Sequence, residues 1–179
     1  MTLRLILIRH AKSSWSDPFA DDHARPLNKR GRASAKAIGQ WMAQNKYFPQ
    51  VMLCSDAERT QETASLILPE LHVQPELVLR SDLYLAPPQD IAAAIKSRAE
   101  IVVGVIGHNP GIGALANSLV SAPPDHPRFL DYPTCATSVI DFHEALEGRL
   151  LPGTGRCTDF IVPRDLIGTH ATDAGTSHS

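Results

Sequence analysis

The sequence predicts an α/β fold, a three-layer α/β/α sandwich with a mostly parallel central sheet, and three observations predict it. Apolar runs of strand length alternate along the chain with helical stretches, the pattern of a parallel sheet covered by helices on both faces. The opening run, Leu3 to Ile8, is hydrophobic almost throughout, as a strand buried on both sides is. The strongest run, Ile101 to Ile106, leads directly into a turn marked by glycine and proline and then an apolar helix. In such sheets ligands bind outside the carboxyl ends of the strands, so the strand-to-helix junctions are where chemistry is expected.

The elements follow in order. After the first strand and a loop, Asn28 is placed to cap a helix through Ala33, Ala35, Ala37, Ile38 and Trp41. Val51 to Cys54 reads as a second strand, followed by a helix from about Ala57 to Leu68 that stops at Pro69. Glu76 to Leu79 reads as a third strand, Ile91 to Arg98 as a helix, and Ile112 to Val120 as the helix after the 101–106 strand. Thr137 to Phe142 and Thr158 to Val162 are late strands, joined through a turn around Gly153 and Gly155. One domain is expected over residues 1–167. From residue 168 to 179 the chain is small and polar without a period, which predicts a disordered tail.

Composition narrows the function classes. With 43% hydrophobic and 20% charged residues, 179 residues suit a single water-soluble domain. A net charge of -2 supplies no general attraction to nucleic acid or an anionic membrane, so neither is expected as a partner. The first apolar run is too short to span a membrane and no signal-peptide cleavage pattern follows it. Cys54, Cys135 and Cys157 are odd in number and far apart, which fits a reducing compartment; the expected location is cytoplasmic.

Three junctions carry the candidate chemistry. Arg9 and His10 end the first strand, Arg59 lies in the first turn of the helix after the second, and His108 follows the strand at 101–106. For an isolated Arg-His pair a polar strand cap is the better reading. Arg59 is harder to explain structurally: Ser55 and Glu58 have capping-box spacing, and a cation in a first helical turn opposes the helix dipole by roughly 0.3–1 kcal/mol. A bound phosphate would reverse that penalty. Asn109 and Pro110 suit the cap and first position of the next helix. A parallel sheet brings two arginines and two histidines to one edge with no acid among them, an arrangement built for an anion. Other phosphate chemistries lack their residues. Cys54 to Arg59 is Cys-x4-Arg without glycine rather than Cys-x5-Arg, Lys12-Ser13 has no glycines ahead of it, and the histidines form no metal-ligand spacing.

Ile8-Arg9-His10-Ala11-Lys12-Ser13-Ser14-Trp15 resembles the signature of the histidine phosphatase superfamily, which includes the cofactor-dependent phosphoglycerate mutases. The usual form is Arg-His-Gly, so Ala11 departs from it, harmfully only where the backbone needs a positive φ. Pro26 to Arg32, Ser55 to Ala64 and Gly107 to Gly111 resemble the superfamily's later segments in order. Tyr132-Pro133-Thr134 and Phe160 to Arg164 resemble its small SixA-type phosphohistidine phosphatases; the likeness runs from Leu3 to Leu166.

The resemblance implies a phosphoglycerate mutase-like fold and a two-step transfer without metal or cofactor. His10 attacks phosphorus and carries the phosphoryl group; Arg9, Arg59 and His108 hold its oxygens; Ser16 stands where relatives commonly place a phosphate-binding asparagine. Many relatives also place a carboxylic acid after the third strand. Here the nearest candidate is Asp82, which reads as a turn residue. Without such an acid, phosphoramidates are the better substrates, because a protonated imidazole leaves neutral and an alkoxide does not. The expected partner is a phosphohistidine-bearing protein or a small phosphorylated molecule. The alternatives are a small-molecule phosphomonoesterase and a non-catalytic phosphoprotein-binding module.

Overall fold

The computed structural model describes residues 2–143 and 150–167; the expected tail, 168–179, lies outside the described residues. The sheet has six strands: β1 (Leu3–Arg9), β2 (Val51–Ser55), β3 (Glu76–Arg80), β4 (Val102–Gly107), β5 (Thr137–Phe142) and β6 (Arg156–Ile161). They lie in the order β3-β2-β4-β1-β5-β6. The β1–β4, β4–β2 and β2–β3 pairs are parallel, and β5 runs antiparallel to both β1 and β6, so β5 alone opposes the rest.

Alternation along β1 builds two cores. Leu3, Leu5 and Leu7 face one side, with Ile91, Ala94 and Ile95 of α3 (Pro88–Lys96) and Ile112, Leu115 and Leu119 of α4 (Gly111–Leu119). Ile6 and Ile8 face the other, with Ala35, Ile38 and Met42 of α1 (Lys29–Gln44) and Ala64 and Ile67 of α2 (Glu58–Ile67). A fifth short helix, α5 (Pro163–Ile167), packs on α1. The result is the expected three-layer sandwich. β3 at the edge keeps Leu77 and Leu79 half exposed, which is why its apolar signal is weak.

Several boundaries move for physical reasons. Asn28 caps α1 as expected, its side chain accepting from the Gly31 N–H at 2.8 Å. The second helix ends at Ile67, ahead of Pro69 as expected, and the chain goes on through a 3-10 turn, Leu68–Glu70, where a proline near the start loses no helical hydrogen bond. α3 begins at Pro88 rather than at residue 91, using proline at its first position. α4 is led in by Pro110 rather than capped at Asn109, although the Asn109 side chain still accepts from the Gly113 N–H at 3.1 Å.

Two glycines let helices approach the functional edge. A Cβ on Gly31 would stand 2.1 Å from the Lys12 carbonyl oxygen, and one on Gly111 would stand 1.9 Å from that of Ala86. Any side chain there pushes α1 from the loop after β1, or α4 from the loop after β3.

Candidate active site

The register of the sheet sets the site. Arg9 at the end of β1 is level with Gly107 at the end of β4, and Cys54 on β2 is level with Ile106. Arg9, His10, Arg59 and His108 therefore converge, and they line one cavity of about 320 Å³ together with Lys12, Ser13 and Arg25. All four expected junction residues are brought together.

The His10 ring is fixed by its backbone. Its Nδ1 lies 2.7 Å from the Ala11 carbonyl oxygen, which only accepts, so Nδ1 carries the proton. The lone pair is then on Nε2, which Arg59 Nε faces at 3.4 Å. Burial, and after it the charges of Arg59, Arg9 and Arg25, push His10 down to about 4. Burial is the largest single contribution to keeping the ring neutral.

Arg59 spans both histidines. Its Nη2 lies 3.3 Å from His108 Nδ1, so in this state that nitrogen accepts and Nε2–H donates to Ser55 Oγ at 2.8 Å. Burial, then His10 and Arg59, push His108 down to about 3. Ser55 is fully buried at the end of β2, and its hydroxyl also accepts from the Ala57 N–H at 3.3 Å. The expected capping box is not formed: Ala57 precedes α2 without a side-chain cap, and the Ser55 hydroxyl orients His108 instead.

Arg9 is held by one donation, from Nη1 to the Tyr132 carbonyl at 3.1 Å. Its buried Nε has no hydrogen-bond partner among the described residues. A buried guanidinium donor without an acceptor is costly.

One expectation is corrected. An acid does stand beside the four: Asp22, in the short 3-10 helix Asp22–Ala24 between β1 and α1. Its carboxylate accepts from Arg59 Nη2 at 3.1 Å, from Arg25 Nη2 at 2.9 Å and from the Tyr84 hydroxyl. The Tyr84 hydrogen bond, with those from Arg25 and Arg59, holds Asp22 far below the usual carboxylate range. Arg25 also donates to Ser13 Oγ at 2.7 Å and stacks 3.6 Å from the centre of the Trp15 ring. Sequence reading missed Asp22, Arg25 and Tyr84 because they sit on loops without a period. The only signal was the i, i+3 spacing of Asp22 and Arg25 just ahead of the Asn28 cap.

The remaining expectations separate. Ser16 does not line the cavity; it is exposed and its hydroxyl pairs with Ser14 Oγ at 2.8 Å, while Lys12 and Ser13 take the place beside His10. Asp82 is exposed, forked onto Arg80 at 2.9 and 2.6 Å, and absent from the cavity wall. Ala11 is buried, is not among the residues with positive φ, and donates its N–H to Thr63 Oγ1 at 3.0 Å, so the backbone does not need glycine there. Cys54 is buried in β2 and its thiol is pushed up to about 12, which rules it out as a nucleophile near neutral pH. Among the described residues, no three His, Cys, Asp or Glu side chains cluster to hold a metal ion, and no helix is long and apolar enough to cross a membrane.

Comparison with known proteins places this geometry. The family model of the histidine phosphatase superfamily (branch 1) matches residues 5–83. An uncharacterized chloroplastic protein of Arabidopsis thaliana is 35% identical over 134 residues, 66% of this chain, and the match spans 60% of that protein's length. An uncharacterized protein of Mycobacterium leprae is 32% identical over 120 residues, covering 64% of this chain and 72% of that protein. Among solved structures, SixA from Agrobacterium tumefaciens superposes with a TM-score of 0.75 at 26% identity, over 90% of this chain and 98% of that one. The protein histidine phosphatase SixA complexed with tungstate, at 20% identity and a TM-score of 0.73 over 92% and 99% of the two chains, shares the fold. With the Arg9-His10 junction, Arg59 and His108 on this sheet, the chain belongs to the histidine phosphatase superfamily and resembles its small SixA-type members.

Proposed function

We propose that the chain is a phosphatase that passes a phosphoryl group through Nε2 of His10 to water, with protein phosphohistidine as its substrate and no metal. The carrying observation is the His10 ring: its proton is fixed on Nδ1 by Ala11, and its free lone pair stands in a cavity walled by guanidinium groups. In the first step a bond forms between Nε2 and phosphorus while the bond from phosphorus to the leaving nitrogen breaks. The departing imidazole, already protonated at its other nitrogen, leaves neutral. In the second step water attacks phosphorus, the bond to Nε2 breaks with its electron pair returning to the ring, and one of the water's protons passes to a phosphate oxygen, so the product leaves as dihydrogen phosphate. Arg9 and Arg59 hold the non-bridging oxygens as planar cationic donors that stabilise the spread charge, and His108 joins them once the bound phosphate has protonated its Nδ1, which in the free protein accepts from Arg59.

Substrate class is read from what the cavity wall omits. No Asp or Glu lines it, Asp82 points elsewhere, and Asp22 is held ionised by Tyr84, Arg25 and Arg59. General acid help is worth about 10²–10⁴-fold, so ester substrates with poor leaving groups lose that factor and phosphoramidates do not. Trp15 and Leu85, which line the cavity, are 76% and 53% exposed, which leaves the mouth open to a group borne by a protein.

The test is a leaving-group series with an intermediate trap. Phosphoramidates and aryl phosphates are expected to turn over at least 10²-fold faster than alkyl phosphates, by roughly the general-acid factor. A base-quenched sample analysed by mass spectrometry carries phosphate on His10. A flat dependence on leaving-group pKa returns the small-molecule phosphomonoesterase, and binding without turnover returns the binding module.

A further inference from the structure

A second cavity of about 190 Å³ adjoins the first, and it is lined by Lys12, Arg30, Arg128 and Arg164 with no acid in its wall. Lys12 and Thr134 line both cavities, so the two are contiguous. The neighbouring acids are engaged elsewhere: Asp165 with His126 at 2.8 Å and Glu62 with Arg32 at 3.8 Å, while Asp131 meets Arg128 at 2.9 Å. Among the described residues, no carboxylate lies within 4.0 Å of Lys12, Arg30 or Arg164. This local excess sits on a chain whose net charge is -2, so it is not a by-product of a basic composition. It is also placed against local stability, since the first turn of α1 carries Lys29 and Arg30 and no acid, where the dipole favours acids.

We infer that this second cavity is an anion subsite, holding an acidic group that the substrate carries beside the phosphoryl group presented to His10. It rests on the phosphatase reading above and adds a selection rule to it: substrates with a second anion near the scissile bond are preferred. Three cations without matched carboxylates, Lys12, Arg30 and Arg164, recruit a phosphate or carboxylate by charge-assisted hydrogen bonds, beside an Arg128 already paired with Asp131. Two sources supply that chemistry, an acidic side chain near a phosphohistidine and the second phosphate of a small bisphosphate. The contiguity through Lys12 fixes the second anion next to the first rather than at a remote surface.

The double variant Arg30→Glu/Arg164→Glu tests it. Both residues are exposed and neither lines the catalytic cavity. Glutamate in the first turn of α1 is favoured by the dipole, and thermal melting verifies that the fold is kept. p-Nitrophenyl phosphate, with one anionic group, is expected to turn over within about twofold of wild type. A phosphohistidine peptide with acidic flanks is compared with the same peptide flanked by serine, and 1,3-propanediol bisphosphate with propyl phosphate. The preference in kcat/KM for the second anion is expected to fall about tenfold to a hundredfold in at least one pair, on the scale of one or two charged hydrogen bonds. Loss in the peptide pair assigns an acidic side chain, and loss in the diol pair a bisphosphate. No preference in wild type, or equal losses for p-nitrophenyl phosphate and the doubly anionic substrates, overturns the subsite. If wild type turns over none of these compounds, the phosphatase reading fails separately. Calorimetric titration with the diol bisphosphate and propyl phosphate then decides: tighter bisphosphate binding that the variant abolishes keeps the subsite, and equal affinities in wild type overturn it.

Discussion

Acidification is the perturbation that tests the His10 environment most directly. An ordinary histidine titrates at 6.5, whereas His10 is lowered to about 4 by burial and by Arg59, Arg9 and Arg25. At pH 5.5 a histidine with the ordinary value is only ~9% neutral, whereas one at about 4 is ~97% neutral, roughly a tenfold difference in available nucleophile. The protein is therefore expected to keep its reactive lone pair through pH 5. Nitrogen-15 NMR of the imidazole rings reads the titration directly, and the pH dependence of His10 modification by diethylpyrocarbonate, located by mass spectrometry, gives a chemical counterpart. The same shift has a sign for stability. The unfolded chain takes up protons at His10 and His108 near 6.5, the folded chain only near 4 and 3, so acid favours unfolding across that window and stability rises with pH from about 4 to 6.5. Bound phosphate should move both rings upward by supplying a negative partner. A His10 midpoint near 6.5 in the free protein, or stability that falls as pH rises through the window, would refute the reasoning.

Three substitutions extend the test. Ser55→Ala leaves the buried Nε2–H of His108 without its acceptor, so stability should drop by about 1–3 kcal/mol and kcat by about tenfold, read by chemical denaturation and steady-state kinetics. Asp22→Asn removes a half-exposed partner of Arg59, costing at most ~1 kcal/mol, and should leave the slope of rate against leaving-group pKa unchanged; a steeper slope would identify Asp22 as the acid. Ala11→Gly restores the usual signature but only frees the unfolded backbone, so it should cost about 0.4–1 kcal/mol in melting experiments with no gain in rate. Prolonged chelation should leave turnover unchanged, and loss with recovery on adding back metal would contradict the metal-free reading.

What was legible in the sequence follows the strength of local signals. β1 and β4 are buried runs of branched residues, and their extents were readable to within a residue. Arg9, His10, Arg59 and His108 were readable because a parallel sheet must bring strand ends to one edge. The Ser55-x-x-Glu58 pattern misled, since capping chemistry and hydrogen bonding to a neighbouring ring use the same hydroxyl and only the sheet decides between them. Asp22 and Tyr84 meet across 62 positions of chain from two loops, a contact that no local period encodes. Ser16 lies outside the cavity wall, its hydroxyl paired with Ser14 Oγ, a local side-chain contact that the motif spacing does not encode.

Arg59 reaches both histidine rings with one planar group, from Nε on one side and Nη2 on the other. The three side chains therefore form a single energetic unit. In a triple thermodynamic cycle, the loss on removing Arg59 should overlap with the losses on removing either histidine, because each removal already undoes part of what the others accomplish. Drift at this site is correspondingly constrained. A chain that loses one ring keeps a buried guanidinium with half its purpose gone, so descendants of such a loss should shed Arg59 soon afterwards rather than keep it.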